Sequence, residues 1–535
     1  MLTFLANFNQ TDVDFTRNHL LDVMQNIRES EQPVALWALT ELPNLRTQLQ
    51  LAGLAGLPVW SAFEDIQMSG QLMGVPMLLP DLELPAGAHT VTVGRDAYVY
   101  LQGRLYAHVY LHDQGFIWQV HTFEQTGGKV VDQFDDRGFV STRTQVNAQG
   151  DVTQKEWLTP DGTVMMTAQS DRRIHISTAA RSRFGHSDYQ NIDELIAEVV
   201  NVHRAQTAMS FNMVIDANHH YGEVLNRIMG MHAVYLVDNP EQVTSKELQE
   251  IVRLMTPTDV LVVPLERDRE LLRRQLSANQ LGLRSTQIVV APFAPTKLNL
   301  GGSNEIADLI TYWHLGNQSG SLSRKTLANL LQMLVADEDK RLVVETTDEF
   351  SLRLDDWVNG WIAQKMGIDV ESPEYSEVAN FMVAKANFAV SGAQEEAMMA
   401  RPDWPATSAA VALKGRVSIR PTMTVYEQRQ VMGQARLLID TGTRPDLGLQ
   451  VEAVSSGVPQ IQASPSDLVK EGANGCVRQD PGQIVTEARR FLDSFPAWNR
   501  ALVVNARQIE DNATSIFVER WLQVIEGSGR NAISG

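Results

Sequence analysis

Cysteine is almost absent: the 535 residues contain one, Cys476. A lone thiol rules out an internal disulfide and fits a reducing compartment. Long apolar runs are missing too. No stretch reaches the ~18 residues of a membrane span, and the opening MLTFLANFNQTD has neither a basic start nor a cleavage signature. The expected location is the cytoplasm, with peripheral contact at the inner face of the cell membrane left open. Basic residues are outnumbered, 45 against 64 acidic, for a net charge of -19. Phosphate backbones are bound through Lys/Arg neutralisation and counterion release, so no broad nucleic-acid surface is expected, although a local basic patch is not excluded. HExxH, GxSxG, P-loop and GxGxxG patterns are all missing, which leaves hydrolase, kinase and dehydrogenase readings without support. No cofactor and no metal are expected.

What is present is ordinary globular material, 44% hydrophobic and 20% charged, and too long for a single core. Its start alternates strands and helices: LTFLANF, FTRNHLLDVMQNIRES, PVALWAL, LRTQLQLAGL. Such alternation with short connections implies a parallel sheet covered by helices. From about His89 to Thr178 the period falls to two, with Gly and Asp turns, which implies an antiparallel sheet inserted into the first domain. The α/β rhythm then returns. A helix presents Leu195, Ile196, Val199 and His203 on one face, followed by the strand MSFNMVID, the helix GEVLNRIMG, the strand AVYLVD, the helix KELQEIVRLM and the strands DVLVVP and TQIVVAPF. A second α/β domain starts near Ala307 with DLITYWHLG. Its first helix carries Leu327, Leu330, Leu331 and Leu334 at core-facing spacing, and LVVETT, FMVAKANFAV, RVSIRP and RLLID continue it as strands. Trp498 to Ile525 reads as helix, and the tail GSGRNAISG as disordered.

The most informative stretch runs from Arg436 to Gly482: a buried strand, a helix beginning near Asp446, the short strand VPQI, and a loop with Gly472, Asn474 and Gly475. It resembles the donor-sugar half of retaining GT-B glycosyltransferases. Glu452, Ala453, Ser456, Gly457, Val458 and Pro459 fall on the places of their Glu-Ala motif, and Asn474 and Gly475 on the later Gly-x-Asn-Gly turn. The resemblance also implies a second glutamate eight positions before Glu452, where this chain has Arg444. The family's Gly-Phe-Gly stretch is replaced by Pro445, Asp446 and Leu447, with Gly448 one place late. Small residues let a helix start bring its free N-H groups up to a diphosphate, and Asp446 repels the anion. An offset alignment lets Asp446 stand in for the glutamate, but two residues short of the required spacing, a rotation of roughly 200° about the helix.

Two further segments, VVDQFDDRGFVSTR and EWLTPDGTVMMT, look like the β domain inserted in transferases that glycosylate serine-rich adhesins. They look still more like a partner family of those enzymes, the first of the three accessory secretory proteins of the accessory Sec system. The fold class implied is α/β: a GT-B-like pair of Rossmann-type domains with an antiparallel β domain in the N-terminal one. Residues 1-80 and 190-300 form the first domain, 81-189 the insertion, 301-500 the donor-like domain, and 501-535 a C-terminal helix and flexible tail. The resemblance implies a non-catalytic protein that assembles with the second and third accessory secretory proteins, engages the dedicated SecA motor and serves export of a serine-rich glycoprotein adhesin. Binding of its glycans or Ser-rich peptide goes with that reading. The alternative is an active retaining transferase using a nucleotide-sugar donor, or its inactive stabilising subunit.

The candidate vestigial donor-site or glycan-binding residues are therefore Glu452, Arg444, Asp446, His314, Arg324, Lys325 and Asn474, with no catalytic residue assigned. His314 ends a strand where ligands approach an open α/β sheet; Arg324 and Lys325 head the first helix of the donor-like domain, which is equally an ordinary solvated helix start. His219 and His220 follow another strand, although adjacent histidines in a turn are more often merely exposed. Tyr106, His108, Tyr110 and His112 read as one face of a strand, too extended for a metal site, since its two histidines stand ~13 Å apart. The insertion is expected to be a removable platform for a partner or substrate, leaving the α/β domains folded without it.

Overall fold

The computed structural model describes residues 2-6, 15-207, 212-217, 224, 232-283, 287-318 and 320-527. These form two compact units: Met1–Pro264 with Asp268–Phe293 and Val518–Gly535, and Leu265–Arg267 with Ala294–Phe517.

The first unit is built on a seven-stranded sheet in the order Ile288–Val290, Val260–Val263, His232–Leu236, Asn212–Asp216, Leu2–Ala6, Val34–Ala38, Val59–Ser61. All its neighbours are parallel. Parallel strands covered on both faces are near-continuous apolar runs, and VALWA, buried throughout, is one. Reading Val260–Val263 and Ile288–Val290 as successive strands omitted the helix between them, Glu266–Ala278. Parallel neighbours require a crossover; this one is so charged that only Leu272 and Leu276 mark its buried apolar side. GEVLNRIMG lies outside the described residues apart from Val224, as do His219, His220 and the C-terminal tail from residue 528.

Between Val59–Ser61 and Asn212–Asp216 the chain forms a ten-stranded antiparallel meander from His89 to Tyr189. It is not a removable platform. Its middle strands bury Ala97, Val99, Val109, Ile117 and Phe134 under Met77, Leu79, Leu82 and Leu84. Its last strands place Trp157, Met166, Ile174 and Ile176 in the same core as Phe63, Leu195 and Val199 of the α/β half. Deleting the meander would expose that shared core.

The FDDRG segment fixes the junction. Arg137 donates Nε to Asp135 Oδ1 (2.7 Å), Nη2 to Asp135 Oδ2 (2.9 Å) and Nη1 to the Ser69 carbonyl (2.7 Å). It also pairs with Glu64 (3.1 Å), itself paired with Arg46 (2.6 Å). The Thr47 N-H donates to Asp136 (2.7 Å), and Lys155 reaches Glu41 (2.8 Å). Gly138, at φ 91°, is required because a Cβ there would stand 2.5 Å from the Val75 carbonyl. Asp135, Asp136 and Arg137 are all buried. The phrase that carries the family resemblance in this half is thus an internal weld.

The second unit has a six-stranded parallel sheet, Val417–Arg420, Lys340–Glu345, Leu309–His314, Ala435–Asp440, Gln460–Gln462, Gly475–Val477. FMVAKANFAV is not a strand. Its first six residues, FMVAKA, end the helix Pro373–Ala386, because Ser372 caps Tyr375 N-H (3.1 Å), Pro373 opens the first turn, and Val378 and Phe381, three apart, are the buried pair. Three more helices, Asp348–Met366, Gly392–Met399 and Trp404–Gly415, complete the connection to Val417–Arg420. The C-terminal helical stretch is two helices, Phe495–Asp511 and Thr514–Glu526. Among the described residues no helix is long and apolar enough to cross a membrane.

Candidate functional site at the switch point of the second sheet

The chain enters the second sheet at Leu309–His314, builds outward through Lys340–Glu345 to Val417–Arg420, then returns on the other side with Ala435–Asp440. The strand order reverses between Leu309–His314 and Ala435–Asp440, and ligands of open α/β sheets bind beyond the carboxyl ends at such a point. There the register sets three titratable residues abreast: Glu345, His314 and Asp440.

His314 Nδ1 lies 3.2 Å from Glu345 Oε2. Burial alone would lower the imidazole pKa, but the Glu345 hydrogen bond and the charges of Asp440 and Asp446 raise it to about 9. Glu345 also accepts from Tyr312 Oη, the Met423 N-H (2.9 Å) and Gln428 Nε2 (3.0 Å). Burial pushes its carboxyl up, yet the His314 and Tyr312 hydrogen bonds hold it below the ordinary glutamate value. Asp440 is raised by burial, which the His314 charge and two backbone donors only partly offset.

Those donors define the loop that follows. Asp440 accepts from the N-H of Gly442 (3.0 Å) through one oxygen and from that of Asp446 (2.8 Å) through the other. The Thr443 N-H donates to Asn317 (2.8 Å). Asp446 is the N-cap of the helix Leu447–Ser455 and accepts from the Leu449 N-H (2.9 Å). Four backbone donors of the kind that would meet a diphosphate are therefore occupied by side-chain oxygens of the chain itself, three of them carboxylate. Arg444 is half-buried in the same turn. Glu452 lies in the helix with its carboxylate 3.5 Å from Arg429 and a side chain 18% exposed. Beside His314 a cavity of about 270 Å³ is lined by Asn317, Gln318, Thr347, Phe350 and Arg353, among others.

The other expected residues separate from this point. Arg324 and Lys325 are exposed on the helix Gly320–Ala336. Asn474 is fully buried and its amide is taken up internally: Nδ2 donates to the Leu468 carbonyl (2.9 Å) and Asn505 (2.8 Å), and Oδ1 accepts from the Lys470 N-H (2.7 Å). It is a loop clamp, not a ligand group. Gly475 is needed beside it because a Cβ would sit 2.2 Å from the Gln460 carbonyl. No metal-holding cluster exists among the described residues. The Tyr106-to-His112 stripe is also broken: register shifts flank it, Tyr106 packs on the insertion core, and His112 stacks on Phe116 at 4.4 Å. Sequence reasoning missed Glu345, Asp440 and Asn317, although the acidic residue near the end of LVVETT and the one ending RLLID sit at carboxyl strand ends just as His314 does.

Comparison with known proteins gives this fold its relatives. The family model for accessory secretory protein 1, an accessory Sec system protein, matches residues 4–528. The corresponding Staphylococcus aureus protein is 22% identical over 527 residues, covering 97% of this chain and 94% of that one; the Streptococcus gordonii protein is 22% identical over 497 residues, covering 91% and 89%. A crystal structure of accessory secretory proteins 1, 2 and 3 of Streptococcus pneumoniae contains a similar chain (TM-score 0.73, 17% identity, 98% of this chain and 99% of that one). The pneumococcal O-GlcNAc transferase solved with UDP and GlcNAc shares the GT-B fold (TM-score 0.67, 11% identity, 98% of each chain). With a family model matched across nearly the whole length and a GT-B pair of parallel sheets to accompany it, the chain belongs to the accessory secretory protein 1 family of the accessory Sec system.

Proposed function

We propose that this protein is a non-catalytic, cytoplasmic component of the accessory Sec system. It assembles with the second and third accessory secretory proteins, engages the dedicated SecA motor at the inner face of the membrane, and serves export of a serine-rich glycosylated adhesin. The observation that carries the non-catalytic part is the loop after Asp440 and the helix start it leads to, four of whose amide donors are held by the chain's own oxygens. Arg444 stands in place of the second glutamate, so one carboxylate of the motif is also lost. The assembly part is supported by family membership and by the pneumococcal complex of accessory secretory proteins 1, 2 and 3. The transferase reading retains one specific support, Glu452, which keeps its carboxylate in the expected helix.

Paired substitutions separate the two. Glu452→Gln removes only charge, so adhesin export and glycosylation should continue unchanged. Ala453→Asp puts a carboxylate at a fully buried position, costs several kcal/mol, and should abolish export through loss of the folded unit. Loss of glycosylation in Glu452→Gln cells with normal protein levels would overturn the non-catalytic reading.

A further inference from the structure

The ten-stranded sheet terminates at the strand His89–Val93, which among the described residues pairs with Asp96–Leu101 alone. Its outer row of backbone N-H and C=O groups has no strand beside it. Natural edge strands are blunted by charge, proline, bulges or a cover, because an open edge is a template for another chain. HTVTV has none of these. It carries no charged residue and no proline, it is exposed at all five positions, and its register with the neighbouring strand runs unbroken from His89↔Tyr100 to Val93↔Asp96. The opposite edge of the same sheet is treated differently: Asp188–Tyr189 is two residues long, with Tyr189 buried.

The face next to the open edge is also distinctive. Residues directly opposite share a face of the sheet, so Val91 lies beside Tyr98, and Tyr98 beside His108. The rings form a continuous surface, Tyr98 to His108 at 4.4 Å, His108 to Tyr110 at 3.9 Å and Tyr110 to His121 at 4.6 Å, with His89 on Tyr100 at 5.5 Å. Asp96 holds His108 Nε2 at 2.7 Å. Val91 and Val93, 47% and 62% exposed, stand at the rim of that surface.

We propose that this edge receives an extended β-strand from another accessory secretory protein, by main-chain pairing, with the ring-lined face as the bed for the adjoining part of that subunit. The inference rests on the assembly proposed above. Area decides against a second copy of this chain. Five residues give about 17 Å of edge, and a stable interface needs roughly 800 Å² from each partner. Two copies joined edge to edge about a two-fold axis continue one sheet plane and bury little beyond the strands. A different subunit can lay a strand on the edge and continue over the tyrosines, a residue type enriched at interface cores. The incoming strand is uncharged, with apolar side chains on the face shared with Val91 and Val93.

The test uses the full chain and the purified second and third accessory secretory proteins. Thr90→Pro removes a main-chain donor on the open side of the strand, and Val91→Lys with Val93→Lys places charges on the edge while leaving its backbone intact. Each should weaken association by about tenfold or more with the free chain's thermal melt unchanged; if the proline variant fails to fold, the lysine pair decides. Wild-type affinity in a folded variant overturns the edge assignment and leaves the assembly standing. Failure of the unaltered chain to associate at all overturns the assembly reading, and this inference with it. A self-association of the unaltered chain that both variants abolish assigns the edge to a second copy, and likewise overturns the proposal.

Discussion

In the N-terminal unit Glu64, Asp135 and Asp136 close around Arg137; in the C-terminal unit Glu345 and Asp440 close around His314. The first cluster is organised by a guanidinium, which never loses its charge. It also joins segments far apart in sequence, so it serves as a permanent weld between the inserted meander and the parallel sheet. The second is organised by an imidazole, which titrates. One of its carboxylates, Asp440, holds two backbone N-H groups of the loop that leads into the helix Leu447–Ser455. Two clusters of similar composition thus differ in setting: one ties the meander to the α/β half, the other closes the loop that follows Asp440.

The sharpest way to break the comparison is to remove the guanidinium. Arg137→Met leaves buried Asp135 without its cation and Glu64 with Arg46 alone, and should cost about 3–5 kcal/mol, read as a lower urea midpoint. A cost under about 1 kcal/mol would mean the cluster is no weld. The His314 cluster should respond instead to pH. A histidine whose folded-state pKa is raised, here from 6.5 to about 9, contributes stability that is fully present below pH 6.5 and is lost as pH climbs through 9. The C-terminal unit should therefore lose about 3 kcal/mol across that window, and His314→Gln should flatten the profile. Smaller still is the effect at Asp136, whose carboxyl burial, with the charge of Asp135, raises to about 6. A raised carboxyl favours the fold only while protonated, so its contribution falls as pH rises from about 4 to 6. Asp136→Asn, which still accepts from Thr47, should stabilise the protein by about 1 kcal/mol at pH 7.5, with the gain shrinking by pH 5 in thermal melts.

The comparison also shows what the sequence discloses. Period and punctuation identify the parallel strands, the meander and the helix start at Asp446, because each depends on local pattern and capping. FMVAKANFAV misleads, since a short apolar run is read as a strand unless the cap at Ser372 and Pro373, nine and eight residues upstream, is weighed with it. The site fared less well for a related reason. Asn474 and FDDRG are conspicuous as words, yet both are conspicuous because they are buried and hydrogen-bonded inside the fold. Glu345 and Asp440 look like unremarked strand ends, and only the register of three strands brings them to His314. Which amides Asp440 occupies is a matter of backbone geometry that spacing alone does not encode.

The central claim is that the chain's own oxygens fill the donor site, and calorimetry with uridine diphosphate N-acetylglucosamine tests it most directly. The account predicts no saturable heat, whether the protein is alone or joined with the other accessory secretory proteins. Saturable binding near the micromolar dissociation constant that corresponds to ~8 kcal/mol would contradict it, and would return Glu452 to the role of a donor-binding carboxylate.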